Sequence, residues 1–161
     1  MLSRNKAAKA QWAGLHQALD RWLDERQELL VRYCQLAGLP PYQHPHGQLP
    51  AAGAIQAFCE ILIDYVSAGH FELYDHILEE ASAHNQSTVA FANQVYPLIA
   101  DTTEIALAFH DTYSEVLDTN ELPQFTHDIS KLGEALQNRL ELEDKLIALL
   151  AEHEALTPVI T

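Results

Sequence analysis

Between Arg32 and Lys131 the chain has neither lysine nor arginine. Those 98 residues carry thirteen Asp and Glu, and the whole 161-residue chain has a formal net charge of −14. Residues 1–32 hold six Lys/Arg against four acids, and residues 131–161 hold three against six. A surface without cations cannot neutralise phosphates, which disfavours direct nucleic-acid binding. An anionic membrane surface is disfavoured for the same reason. A basic partner is favoured, because such a field steers one inward; solubility alone is the plain alternative.

Cysteine is scarce as well. Cys34 and Cys59 stand 25 residues apart with no C-x-x-C, and both fall in apolar helical patterns, so two buried free thiols are expected. No apolar run approaches the ~20 residues that a membrane helix needs. The opening M-L-S-R-N-K-A-A-K-A-Q-W has no apolar h-region, so no secretory signal is expected and the cytoplasm is the expected location. Catalytic signatures are missing too: G-x-S-x-G, a glycine-rich phosphate loop, H-E-x-x-H, and the E-x-x-H of di-iron bundles. Neither enzymatic activity nor a cofactor is expected.

What is present is helical periodicity. Apolar residues make up 48% of the chain, enough for one packed domain over residues 1–161, with about 151–161 as a loose tail. Leu15, Leu19, Trp22, Leu29, Leu30 and Tyr33 share a face, which predicts one helix from about residue 4 to 37, stopped by Gly38 and Pro40-Pro41. Ile55, Phe58, Cys59, Leu62 and Val66 mark a second helix, with Gly69 suited to its end. A short helix over about 71–83 follows. Phe91, Val95, Leu98, Ile105, Phe109, Tyr113 and Val116 mark a long helix interrupted by Pro97. Ile129, Leu132, Leu136, Leu140, Ile147 and Leu150 mark the last one. The expected fold is all-α: an antiparallel four-helix bundle with an additional short helix.

Two charges fall on inner stripes, Arg26 on the first helix and Glu143 on the last. A lone buried charge costs several kcal/mol, so each needs a partner. The two are expected to pair across the bundle, joined by Thr102. Snorkelling to the bundle edge is the alternative.

Candidate chemistry is thin. Glu72, His76 and Glu80 follow at i, i+4 steps, but one helix seldom supplies a full metal site, and His44-Pro-His46 has no carboxylate or thiol nearby; no metal is expected. Ser67, His70 and Asp64 make a weak nucleophile set. His70 as a phosphoacceptor is an alternative function class, as is a metal-binding bundle. The segment D-Y-V-S-A-G-H-F-E-L-Y-D (64–75) reads either as a structural junction or as a docking surface for a basic helix, and the residues alone leave both open.

Three blocks, D-R-W-L-D-E-R-Q-E-L-L-V (20–31), F-C-E-I-L-I-D-Y-V-S-A-G-H-F-E-L-Y (58–74) and L-E-L-E-D-K-L-I (140–147), resemble the Rsd/AlgQ regulator of sigma D family over about residues 1–150. The loop 39–52, the turn 83–88 and the tail look least like it. The resemblance implies a non-enzymatic anti-sigma factor. It would bind the C-terminal, promoter-reading helix-turn-helix domain of the primary sigma factor and sequester it from core RNA polymerase. Implied sigma contacts are Asp64, Ser67, His70, Phe71 and Asp75, with Arg21, Trp22 and Leu29 from the first block. Trp22 and Leu29 also lie on the inner stripe, so a core role stays open for both. Weak self-association is left open.

Overall fold

A computed structural model describes residues 1–12, 17–42, 49–68, 74–75, 86–119 and 122–156. Five helices occur among them: α1 Leu2–Trp12, α2 Gln17–Ala37, α3 Ala52–Ala68, α4 Gln86–Tyr113 and α5 Phe125–Leu156. No strand occurs among the described residues. The architecture is an all-helical bundle with one additional short helix.

Side-chain contacts set the directions. Trp22 stacks on Tyr65 at 5.5 Å and Tyr33 meets Phe58 at 6.3 Å, so α2 and α3 run antiparallel. Arg139 reaches Thr102 while Tyr113 reaches Asp128, so α4 and α5 do as well. Helix α5 closes the ring against α2, where the Tyr33 hydroxyl donates to the Ile129 carbonyl at 2.9 Å. At one level of the bundle the core is aromatic: Phe58, Phe109, Tyr113 and Phe125 pack edge to face or tilted. Gly133 is needed there. A β-carbon at that position would collide with the Tyr33 hydroxyl and lie 2.7 Å from Tyr33 Cζ.

Helix α2 ends where the sequence predicts. Gly38 has a φ of 69°, the left-handed conformation that costs glycine little. The Leu39 amide donates to the Cys34 carbonyl at 3.0 Å, and that of Gly38 to Gln35 at 3.4 Å. This is the paired 6→1 and 5→2 closure of a Schellman motif. Cys34 and Cys59 are buried free thiols. Burial pushes Cys59 up to about 11.

Two expectations change, the single first helix and the buried stripe of α4. The first helix is not a single rod over 4–37, because α1 folds back on α2. Asn5 Nδ2 lies 3.3 Å from the Leu23 carbonyl, whereas 18 residues of straight helix would separate them by about 27 Å. The additional short helix observed is α1; the one expected over 71–83 falls outside the described residues except at Tyr74 and Asp75, and the fit of Gly69 to a helix end also falls outside them. In α4 the buried stripe is Ala92, Val95, Ile99, Thr102, Ala106, Phe109 and Tyr113, and Leu98 is 51% exposed. The alternating steps of three and four run through two alanines, which a stripe drawn through the largest side chains bypasses.

Candidate partner-binding site and the polar layer beneath it

The polar layer starts from helix geometry. Residues four apart share a helix face, so Arg139 and Glu143 point into the bundle together, where Arg139 Nε donates to Glu143 Oε1 at 2.8 Å. Both are buried, as is Arg26 across the bundle on α2, whose Nη1 lies 3.6 Å from Glu143 Oε2. Arg26 Nη2 donates to Asp144 Oδ1 at 2.7 Å, and Nε donates to Asn5 Oδ1 at 2.5 Å. Two phenols complete the carboxylate: Tyr65 donates to Glu143 Oε2 at 2.6 Å and Tyr74 to Oε1 at 2.9 Å. Arg139 Nη1 donates to Thr102 and Thr103 hydroxyls at 3.1 and 2.7 Å. The guanidinium of Arg26 also lies over the Trp22 ring, 5.4 Å from its centroid.

Glu143 therefore receives hydrogen bonds from α3, from α5 and from the segment at Tyr74, and pairs with Arg26 on α2. Burial works against both arginine charges, but their neighbours outweigh it. Tyr65, Glu143 and Asp144 hold Arg26 above its ordinary pKa. Glu143, Tyr74 and Tyr65 do the same for Arg139. Burial first, and then the Glu143 carboxylate, drive Tyr65 and Tyr74 well above the usual tyrosine range. The layer thus holds charges and neutral phenols in fixed states at neutral pH. Arg139, Asn5, Tyr65 and Tyr74 were not singled out from the sequence. Arg139 did carry a signal, standing three residues after Leu136 and four before Glu143 on the same face.

The outer surface is different. Asp64 and Ser67 project to solvent from the last turns of α3, and Asp75 is exposed beyond it. Arg21 is exposed on α2, the neighbouring helix. Trp22 and Leu29 are each 1% exposed, so both are core side chains and not surface contacts. Trp22 is held there by its stack on Tyr65. His70 and Phe71 lie outside the described residues, as do Glu72, His76, Glu80, His44 and His46. Tyr74, next to Asp75, is pinned from two sides: its hydroxyl sits in the polar layer, and its carbonyl accepts from Tyr96 at 2.8 Å. Among the described residues no group of three or more His, Cys, Asp or Glu is placed to hold a metal. None of the described helices is long and apolar enough to cross a membrane.

Fold and site together define a helical bundle with a charge-paired ionic layer inside and an acidic face outside. Comparison with known proteins gives its family. Residues 1–151 match the family "Regulator of RNA polymerase sigma(70) subunit, Rsd/AlgQ". A "Regulator of sigma D" from Yersinia enterocolitica is 37% identical over 162 residues, covering 99% of this chain and 96% of that protein. Proteins of the same name from Yersinia pestis and Salmonella paratyphi B are each 36% identical, over 94% and 93% of this chain and 90% and 91% of theirs. The chain belongs to the Rsd/AlgQ family of sigma(70) regulators.

Proposed function

We propose that this chain is a cytoplasmic anti-sigma factor without enzymatic activity. It binds the C-terminal, promoter-reading domain of the primary sigma factor and withholds that domain from core RNA polymerase. The contacts are Asp64, Ser67 and Asp75, with His70 and Phe71 between them and Arg21 at the margin.

One observation carries the reading. Asp64, Ser67 and Asp75 are exposed, within a stretch of chain that holds no Lys or Arg from residue 33 to 130. A domain that reads DNA is basic, and this face offers carboxylates where DNA offers phosphates. Docking also needs a rigid platform, and the Tyr74 anchors supply one beside Asp75.

Titration calorimetry of the chain against the isolated C-terminal sigma domain, at two salt concentrations, tests it. A one-to-one complex is expected, weaker at higher salt and about tenfold weaker with Asp64→Ala, equivalent to about 1.4 kcal/mol. No heat and no co-elution would overturn the reading.

A further inference from the structure

A groove of about 660 Å³ runs between Tyr74–Asp75 and one stripe of α4. Its position is independent of whether the chain binds sigma. The floor is apolar, built from Pro97, Ile99 and Ala100. A carboxylate stands toward each end. Glu104 is at one. Asp75 is at the other, near enough to Tyr96 that its charge, after burial, helps push that phenol up to about 12.

The walls add acceptors and aromatic surface. Pro97 has no amide hydrogen, so the Asn93 carbonyl loses its ordinary i+4 donor, and both residues line the groove. Tyr74 and Tyr96 stand with ring centroids 5.5 Å apart at the Asp75 end. No cation is contributed by any residue from 33 to 130, because that stretch contains no Lys or Arg. Two cations stand beyond the walls. Arg139 is buried behind Thr103 and bonded to Glu143. Lys131 lines the adjoining groove on the far side of Glu104.

An occupant must therefore be cationic at both ends and largely methylene between them, with the Asn93 carbonyl as the acceptor for an ammonium along its length. Tyr96 and Glu104 are eight residues apart on α4, about 12 Å along its axis. We propose that this groove binds a linear polyamine of the spermidine class, with one terminal ammonium at Asp75 and the tyrosine rings and the other at Glu104. Its methylene stem lies on Pro97 and Ala100. An extended spermidine places its terminal nitrogens roughly 11 Å apart, whereas putrescine reaches only about 6 Å.

The test is calorimetric titration of the full chain in physiological salt with spermidine, 1,8-diaminooctane and putrescine, each to about 1 mM. One saturable site is expected for spermidine and for 1,8-diaminooctane, which has the same reach, and putrescine should bind at least fivefold more weakly. Asp75→Asn and Glu104→Gln should each weaken spermidine about three- to fivefold, the scale of one exposed ion pair. Glu134→Gln, an exposed acid on α5 outside the groove, should leave it unchanged. Absence of spermidine binding would overturn the proposal. So would equal losses in all three variants, or putrescine binding as well as spermidine, since either would mean a diffuse counterion atmosphere.

Discussion

Asp64 and Tyr65 are neighbours in the chain and live in opposite worlds. Asp64 stands in water on the outer face of α3, while Tyr65 turns inward and hydrogen-bonds to Glu143 among two buried arginines. The inner layer and the outer face use the same kinds of side chain. Inside, every carboxylate meets donors and every guanidinium meets a carboxylate, so the charges cancel locally. Outside, the acids have no lysine or arginine from their own stretch of chain to cancel them. Balanced charges inside fix how helices sit against one another, and unbalanced charges outside remain available to a partner.

The strongest way to break this contrast is to remove its centre. Glu143→Ala leaves Arg26 and Arg139 buried without their shared carboxylate, and should cost about 3–5 kcal/mol in chemical denaturation. Binding of the sigma domain per folded molecule should change little, because Glu143 does not reach the surface.

Alkaline pH should come next. Tyr33 and Tyr96 are pushed up to about 12 and Cys59 to about 11, in each case first by burial. In the unfolded chain the same groups ionise near their ordinary values, roughly 8.5 for cysteine and 10 for tyrosine. The unfolded state therefore loses protons first as pH rises. The stability these groups contribute is whole below their ordinary values and is lost as pH climbs toward 11 and 12. Denaturation curves from pH 8 to 11, with tyrosinate absorbance followed in parallel, should show a falling midpoint.

A smaller loss is expected at the aromatic level of the bundle. Gly133→Ala forces its new methyl against a Tyr33 ring held by the Ile129 carbonyl, and should cost about 1–3 kcal/mol. Adding Tyr33→Phe, which removes the clashing oxygen, should recover part of the loss, a coupling that two independent sites would not show.

The least change in stability is expected for Asp64→Ala on the outer face. It should leave the denaturation midpoint within about 0.5 kcal/mol of the parent. Its effect belongs to the affinity for the sigma domain.

How much of this was legible follows from the same contrast. The bundle was readable because helical periodicity is local, and so were the two inward charges, since an Arg or Glu inside an apolar stripe stands out in projection. Thr102 was readable on the same ground, and it accepts from Arg139. Tyr65 and Tyr74 were not, because a buried tyrosine looks like any other core aromatic until its hydroxyl finds a partner. Asn5 was hidden behind an apparent single helix over 4–37; the fold-back of α1 is a tertiary event that periodicity does not encode. The surface was readable by charge, and periodicity already put Trp22 and Leu29 on the inner stripe; only the resemblance made them contacts.

The most direct measurement is competition. Labelled primary sigma factor is bound to core RNA polymerase, and this chain, or its Asp64→Ala variant, is titrated in while sigma release is followed by anisotropy. The account predicts release that rises with the concentration of the chain, with the variant needing about tenfold more for the same extent of release. Sigma that stays on core polymerase at a large excess of the chain, or that leaves equally well with the variant, would contradict it.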